Sequence, residues 1–239
     1  MRDERRGSAT AEFLGGIRES FPSARFYAMY GQTECKRISY LDPDLVDENP
    51  LSVGRTIPGT SAMVLRDDGT SADTGEVGIL HVRGPHVMAG YWNQRELTEK
   101  TLVPGPVPGE FMLRTGDLFR TDRDGLLYFV SRTDDVIMSG GNKVSPIEIE
   151  NVVYAMTGVR EVAAVGVPDE ILGEAVVVYV ATHADAELTP EEIRRACRER
   201  LEPALVPKRV ILVDELPKTP AGKISRTELR AEATASPGA

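Results

Sequence analysis

Five short segments of this chain combine side chains and backbone freedom suited to chemistry. Tyr30-Gly31-Gln32-Thr33-Glu34 follows an apolar stretch; its glycine permits a sharp turn, and its hydroxyl and carboxylate can project into a cleft. Arg114-Thr115-Gly116-Asp117 offers a second carboxylate on a tight turn, suited to accepting hydrogen bonds from a vicinal diol such as ribose. Arg132-Thr133-Asp134-Asp135 is followed by Ser139-Gly140-Gly141-Asn142-Lys143, where a glycine pair suits either close backbone approach to a ligand or a mobile connection. Leu216-Pro217-Lys218-Thr219-Pro220-Ala221-Gly222-Lys223 presents Lys223 on a punctuated loop, where a positioned cation can neutralise a phosphoryl group under attack. Taken singly, each segment also fits an ordinary turn or a solvated loop.

Other chemistries find no support in the residue pattern. His81, His86 and His183 are scattered without metal-ligand spacing, and no G-x-S-x-G elbow, G-x-G-x-x-G or G-x-x-x-x-G-K-[ST] loop occurs. Asp122-Arg123-Asp124-Gly125 lacks the third ligand and the bidentate glutamate of a calcium loop and reads as a hairpin turn. Cys35 and Cys197 are too few for a disulfide framework.

The elements that must position these segments change character along the chain. Phe13, Leu14, Ile17 and Phe21 stand at near-helical spacing within residues 8–21 and Pro22 closes the run, while residues 24–30, ARFYAMY, read as a buried strand. From about residue 50 to 133, short apolar runs (61–65, 76–82, 126–130) alternate with turn clusters, so this part is β-rich; residues 103–110, VPGPVPGE, form an exposed loop. Beyond it, Ser145-Pro146-Ile147-Glu148 and Thr189-Pro190-Glu191-Glu192 both read as helix starts, the first helix stopping near Gly158 and the second near Leu201. With apolar runs at 161–167, 174–181 and 209–213, the order becomes β, helix, β, β, helix, β. The fold class is therefore α+β. Three segments are expected: 1–133, β-rich from about 50; 134–230, a small α+β unit; and 231–239, a flexible tail.

The 239 residues are 41% hydrophobic, enough for a sizeable core. The net charge of −9 argues against general attraction to nucleic acid or anionic membranes. The first residues lack the apolar region of a secretory signal, and no run of about 18 apolar residues occurs, so a soluble, cytoplasmic protein without a membrane span is expected.

In this order and spacing the segments resemble the adenylate-forming (ANL) superfamily, which includes the acyl-CoA synthetases, peptide-synthetase adenylation domains and luciferases. YGQTE resembles its Y-G-x-T-E segment; GEVGILHVRGPHVMAGYW, from Gly75 to Trp92, resembles its glycine-tyrosine motif; RTGDL contains its T-G-D. SRTDDVIMSGGNKVSPIEIE resembles the hinge motif R-x-D-D-x-I-x-x-x-G-x-[RK]-[IV]-x-P-x-E-[IV]-E, and LPKTPAGKISR resembles L-P-x-T-x-x-G-K-[IV]-x-R. The match runs over about residues 8–230, with Ser131 and Met138 departing at positions that carry no assigned role.

The resemblance implies an ATP-dependent acid–thiol ligase that forms an acyl-adenylate with Mg2+ and passes the acyl group to CoA or the phosphopantetheine of a carrier protein. It implies that Tyr30 and Gly31 lie against adenine, that Thr33 meets the α-phosphate, and that Glu34 helps hold magnesium. Asp117 would accept the ribose hydroxyls with Arg132 beside it, Asp134 would be the hinge, Gly141 would let the pantetheine arm pass, and Lys143 would contact nucleotide phosphate or ribose. Lys223 would bridge the substrate carboxylate and the α-phosphate. The family also carries a phosphate loop ending in P-K-G upstream of Y-G-x-T-E, and the 29 residues before Tyr30 hold none. The chain therefore resembles only the C-terminal portion: the end of the large AMP-binding domain followed by a small, mobile C-terminal domain. Stand-alone activity is not expected, and a chain supplying the N-terminal half, or self-association, is. The alternative is a non-catalytic remnant that docks a carrier protein or a full-length synthetase.

Overall fold

A computed structural model describes residues 16–220 and 222–235. Packing divides it after Asp134: Ile17–Asp134 forms one compact unit, and the described residues from Asp135 onward form the other.

In the first unit residues 17–20 are helical, Phe21 is not, and residues 8–15 of the helix expected over 8–21, including Phe13 and Leu14, lie outside the described residues. An eight-stranded sheet follows. Its strands are β1 (Met29–Tyr30), β2 (Ser39–Tyr40), β3 (Ser52–Thr56), β4 (Ser61–Leu65), β5 (Gly78–Arg83), β6 (Leu102–Pro104), β7 (Phe111–Thr121) and β8 (Leu127–Arg132). They pair in the order β1-β2-β3-β8-β7-β5-β4, with β6 also on β7. Cys35, Ile38, Val64, Leu80, Val82, Leu113, Phe119 and Leu127 form the core beneath it. The stretch expected to be a buried strand at 24–30 is instead only two strand residues at the sheet edge, with Tyr27 and Met29 44% and 47% exposed, because β1 has a neighbour on one side only. The loop expected over 103–110 is partly strand, since Val103 and Pro104 end β6. The helix α1 (Arg95–Thr101) was not legible: it buries no residue, and its visible support is an Arg95 to Glu99 ion pair of 2.7 Å.

The turn clusters act as read. Asp122 Oδ1 accepts from the amides of Asp124 and Leu126, and its Oδ2 accepts from the Tyr128 hydroxyl, closing the β7–β8 hairpin.

The second unit contains β9 (Ile137–Ser139), β10 (Asn142–Val144), α2 (Pro146–Tyr154), β11 (Val159–Asp169), β12 (Gly173–Thr182), α3 (Pro190–Arg200), β13 (Arg209–Val213) and α4 (Arg226–Ala235). The sheet order is β10-β9-β12-β11, with β13 parallel to β12. The unbroken apolar runs in β11 and β12 follow from burial on both faces. Val162, Ala164, Val176, Val178 and Val180 pack with Ile149, Val153, Ile193 and Cys197 of α2 and α3. The alternate residues Ala163, Val165, Val177 and Tyr179 pack with Leu229 and Ala233 of α4. Burying each large side chain contributes about 1.5–3 kcal/mol. Leu229 and Ala233 stand four residues apart on one helical face, which explains why residues 231–235 are helix rather than the expected tail. Residues 236–239 lie outside the described residues.

Both predicted helix starts are present with Pro at the first helical position, but they are capped differently. Thr189 and Glu192 form a reciprocal capping box: the Thr189 hydroxyl accepts from the Glu192 amide at 3.3 Å, and Glu192 Oε2 accepts from the Thr189 amide at 3.0 Å. Ser145 occupies the corresponding position before α2 without a side-chain capping bond, and α2 ends at Tyr154, before Gly158. Among the described residues, no helix is long and apolar enough to cross a membrane.

Candidate functional site

The first unit ties three of the singled-out segments together. Asp117 lies on β7, directly opposite Arg132 of β8. The T-G-D segment, expected to be a tight turn, is instead a bulge inside a continuous strand. Ile79 pairs with Leu118 and His81 with Arg114, so one residue of β5 faces three of β7. Such a bulge re-aims side chains, and Gly116 supplies the left-handed conformation it needs, with φ of +72°. The Thr115 hydroxyl fixes the bulge from within, donating to the Leu80 carbonyl at 2.8 Å and accepting from the Asp117 amide at 3.1 Å.

The aspartate so aimed is almost wholly buried, its side chain 6% exposed. Oδ2 accepts two hydrogen bonds from the Y-G-Q-T-E segment: 2.6 Å from the Tyr30 hydroxyl and 2.8 Å from Gln32 Nε2, which also donates to the Thr115 carbonyl. Oδ1 has no hydrogen-bond partner, although Arg132 Nε stands 3.9 Å away. Arg132 Nε also donates to Asp134 Oδ1 at 3.1 Å, so one guanidinium links the buried carboxylate to the last residue of the unit. Burial, reinforced by the Asp117 carboxylate, raises the Tyr30 pKa far above its ordinary value, so Tyr30 remains a donor throughout the neutral range. Its ring meets Phe119 edge-on at 4.7 Å. An unsatisfied buried carboxylate oxygen costs free energy unless a donor reaches it. A hydroxyl-bearing ligand such as ribose fits that requirement.

Gly31 is required by close packing: a Cβ there would stand 1.7 Å from the Lys36 carbonyl oxygen. Thr33 is exposed and Glu34 half-buried in the turn that follows. Glu34 Oε1 accepts from the Tyr91 hydroxyl at 2.6 Å, and burial together with that carboxylate raises the Tyr91 pKa. Among the described residues, no group of three or more His, Cys, Asp or Glu could hold a metal ion. Glu34 offers one carboxylate, and magnesium is an ion that takes one or two carboxylates and fills its remaining positions with water and phosphate.

Gln32 and Tyr91 are the site residues that sequence reasoning missed. Both lie inside the quoted segments, at positions to which no role was attached, and only three-dimensional proximity reveals their partners.

Within the second unit, Gly140 and Gly141, with φ of +57° and +81°, form the two-residue turn of the β9–β10 hairpin. A tight turn, rather than a mobile connection, therefore accounts for the glycine pair. Lys143 follows, exposed, on β10. Lys223 is exposed near the end of a closed loop. The Thr219 amide donates to the Lys223 carbonyl at 2.7 Å, the Gly222 amide to the Thr219 carbonyl at 2.8 Å, and the Ser225 amide to the Pro217 carbonyl at 2.8 Å. Lys218 and Ile224 pair across it.

Comparison with known proteins finds matches in two stretches of the chain. Residues 7–92 match the family model of the AMP-binding enzyme, and residues 148–223 that of the AMP-binding enzyme C-terminal domain. The chain is 42% identical over 204 residues to a long-chain-fatty-acid–CoA ligase of Salmonella typhimurium, covering 85% of this chain and 35% of that protein. It is 39% identical over 215 residues to the medium/long-chain-fatty-acid–CoA ligase FadD8 of Mycobacterium tuberculosis, covering 86% and 37% respectively. The chain thus spans little more than a third of the curated relatives it matches. Among solved structures, the amide bond synthetase McbA of Marinactinospora thermotolerans superposes with a TM-score of 0.85 at 34% identity, covering 94% of this chain and 45% of that one. The o-succinylbenzoate CoA synthetase MenE of Bacillus subtilis, solved with its acyl-adenylate intermediate, gives 0.82 at 30% identity, covering 92% and 43%. With the two family models matched in order and the likeness extending over the fold, this chain belongs to the adenylate-forming family of AMP-binding enzymes, of which it resembles the C-terminal portion.

Proposed function

We propose that this chain is the C-terminal part of an ATP-dependent acid–thiol ligase that activates a carboxylic acid as its adenylate and transfers the acyl group to CoA or a carrier-protein thiol. The observation that carries the reading is the buried Oδ1 of Asp117, which accepts no hydrogen bond while Oδ2 is held in place by Tyr30 and Gln32 and the strand by the bulge at Gly116. On this reading Ile17–Asp134 is the end of the large AMP-binding domain and the unit after it the small C-terminal domain. A further segment or chain supplies the phosphate loop and the acyl pocket.

Asp117 Oδ1 accepts from the ribose while Oδ2 stays engaged by Tyr30 and Gln32, so the carboxylate is fixed before the ligand arrives. Tyr30 and Gly31 lie along the adenine, the exposed Thr33 hydroxyl donates to the α-phosphate, and Lys143 reaches phosphate or ribose. Glu34, oriented by Tyr91, is the carboxylate for magnesium, which when bound neutralises phosphate charge. Attack by the substrate carboxylate forms the oxygen–phosphorus bond and expels pyrophosphate. It brings two anions together, and the Lys223 ammonium shields them. In the second half-reaction the thiol sulfur attacks the acyl carbon and AMP leaves, with Gly141 beside the pantetheine arm and Asp134 as the pivot between the two presentations.

The test is a chimera in which this chain replaces the matched third of the Salmonella typhimurium ligase, assayed by fatty-acid-dependent ATP–pyrophosphate exchange. Lys223→Ala is expected to lower exchange by about two to three orders of magnitude, the scale of removing one preorganised charge. Exchange within threefold of the unsubstituted chimera would refute the assignment. The isolated chain is expected to show negligible exchange, and robust exchange would refute the need for a further segment.

A further inference from the structure

Two of the family-like motifs, residues 131–150 and 216–226, contribute charged residues that the reaction above does not use, and the second unit gathers them at one point. Arg226, the first residue of α4, directs its guanidinium at Glu150, the last glutamate of the S-P-I-E-I-E segment: Nη1 to Oε1 is 2.6 Å and Nη2 to Oε2 is 3.0 Å. Its Nε stands 3.6 Å from Asp135, the first residue after the boundary between the units. The side chains of Arg226, Glu150 and Asp135 are 24%, 14% and 24% exposed, so this is a largely desolvated bidentate pair with an acidic neighbour.

The cluster also grips the sheet. β11 is the last strand on its side, so alternate backbone groups along it have no strand partner. At Ala164 both groups are taken by this pair: the amide donates to Glu150 Oε1 at 2.7 Å, and the carbonyl accepts from Arg226 Nη1 at 2.8 Å. Two residues before Arg226, Ile224 closes the Lys223 loop against Lys218, and Lys218 Nζ reaches Glu161 of the same strand at 2.7 Å. Both feet of the loop are therefore fastened to β11.

We propose that Arg226 is a positioning residue. Through Glu150, Ala164 and Asp135 it clamps one foot of the Lys223 loop to α2, to β11 and to the first residue after the boundary. The feet of the loop, at Lys218 and Ile224, and the segment that leaves the boundary then form one rigid piece, and any pivoting is confined to residues before Asp135. The inference takes its functional meaning from the reading of Lys223 above, but the clamp itself does not depend on it.

Hydrogen exchange on the chain itself tests the clamp. Arg226→Lys keeps the charge and loses the fork. It is expected to accelerate exchange at the Thr219, Gly222 and Ser225 amides and at Ile137 and Met138 together, by about tenfold or more, the scale of losing a charge-assisted hydrogen bond. The β12 amides of Val177–Val180 are expected to stay within twofold. Leu229→Ala, a cavity in the same helix, serves as the purely structural control, and its acceleration should extend into β12. An Arg226→Lys pattern matching that of Leu229→Ala, or a response at only one of the two segments, would overturn the proposal. If Arg226→Lys does not fold, Glu150→Gln carries the same comparison. In the ligase chimera, Arg226→Lys is expected to lower kcat about tenfold with KM for ATP within twofold, and to add nothing to Lys223→Ala; additive losses would overturn positioning. Near-normal activity of Lys223→Ala would refute the reading of that lysine while leaving the exchange result standing.

Discussion

Replacing Asp117 by asparagine separates what this carboxylate does for the fold from what it does for a ligand. The side chain keeps its shape, but two charge-assisted bonds, from the Tyr30 hydroxyl at 2.6 Å and Gln32 Nε2 at 2.8 Å, become neutral ones. A bond to a charged group is worth about 1.5–3 kcal/mol and a neutral one about 0.5–1.5, so the two together lose about 2–3 kcal/mol. Relief from burying a charge that is only 6% exposed returns part of this, leaving a net loss of about 1–2 kcal/mol. For a chain of this size that is a fall of about 2–8 °C in the unfolding temperature of the first unit. The amide nitrogen now occupies the Oδ1 position, where it donates instead of accepting and stands toward Arg132, so a ribose hydroxyl loses its acceptor. AMP affinity by calorimetric titration is expected to fall tenfold or more. Circular dichroism melts and titration give independent readouts. An Asp117→Asn chain that melts with the wild type and binds AMP equally well would refute both the bonding account and the ribose assignment.

Two further outcomes follow from particular contacts. Asp169 is held down to about 2, first by the Lys208 ammonium at 2.5 Å and then by the amides of Leu172 and Ile171. A depressed carboxylate contributes stability that is present above its unfolded value of about 3.9 and is lost as pH falls from there towards 2, so Lys208→Met should flatten the acid limb of the unfolding curve in that window; an unchanged limb would refute the pairing. Gly116→Ala meets no backbone crowding, its Cβ lying 3.7 Å from the Thr133 hydroxyl, but must hold φ at +72°. It should cost about 1–2 kcal/mol, or about 2–8 °C in a thermal melt, and an unshifted melt would mean that the bulge relaxes freely.

Much of the strand framework was legible because its strands are short apolar runs bounded by turn residues. The runs at 61–65 and 209–213 coincide with β4 and β13, and the unbroken apolar runs at 161–167 and 174–181 lie inside β11 and β12. Elements lacking an apolar signal were not legible. α1 carries a single apolar residue, Leu97, and buries none, and the hairpin of β9 and β10 is three residues per strand around a glycine pair. α4 was missed because its inward face is only Leu229 and Ala233, in a stretch otherwise small and polar. In the candidate site, the residue types and their order could be read, but partnership could not. Gln32 and Asp117 are 85 positions apart, and only the bulge at Gly116 turns the carboxylate toward the glutamine. The same holds for Arg226 and Glu150, 76 positions apart, whose meeting depends on the packing of α2 and α4 against the same strand.

The burial of β12 on both faces has a consequence outside the folded state. Ala175–Ala181 reads AVVVYVA, seven residues with no charge, no proline and strong β preference, all wholly enclosed in the native protein. Released by unfolding, such a segment is able to zip against copies of itself, and Glu174 is the charge that stands guard at its start. The covering helices therefore act as a solubility device as well as a core. Variants that loosen α4 should betray themselves first by concentration-dependent light scattering on warming, before the melting temperature of the dilute protein has moved far; scattering equal to that of the wild type would show that the segment stays sheltered.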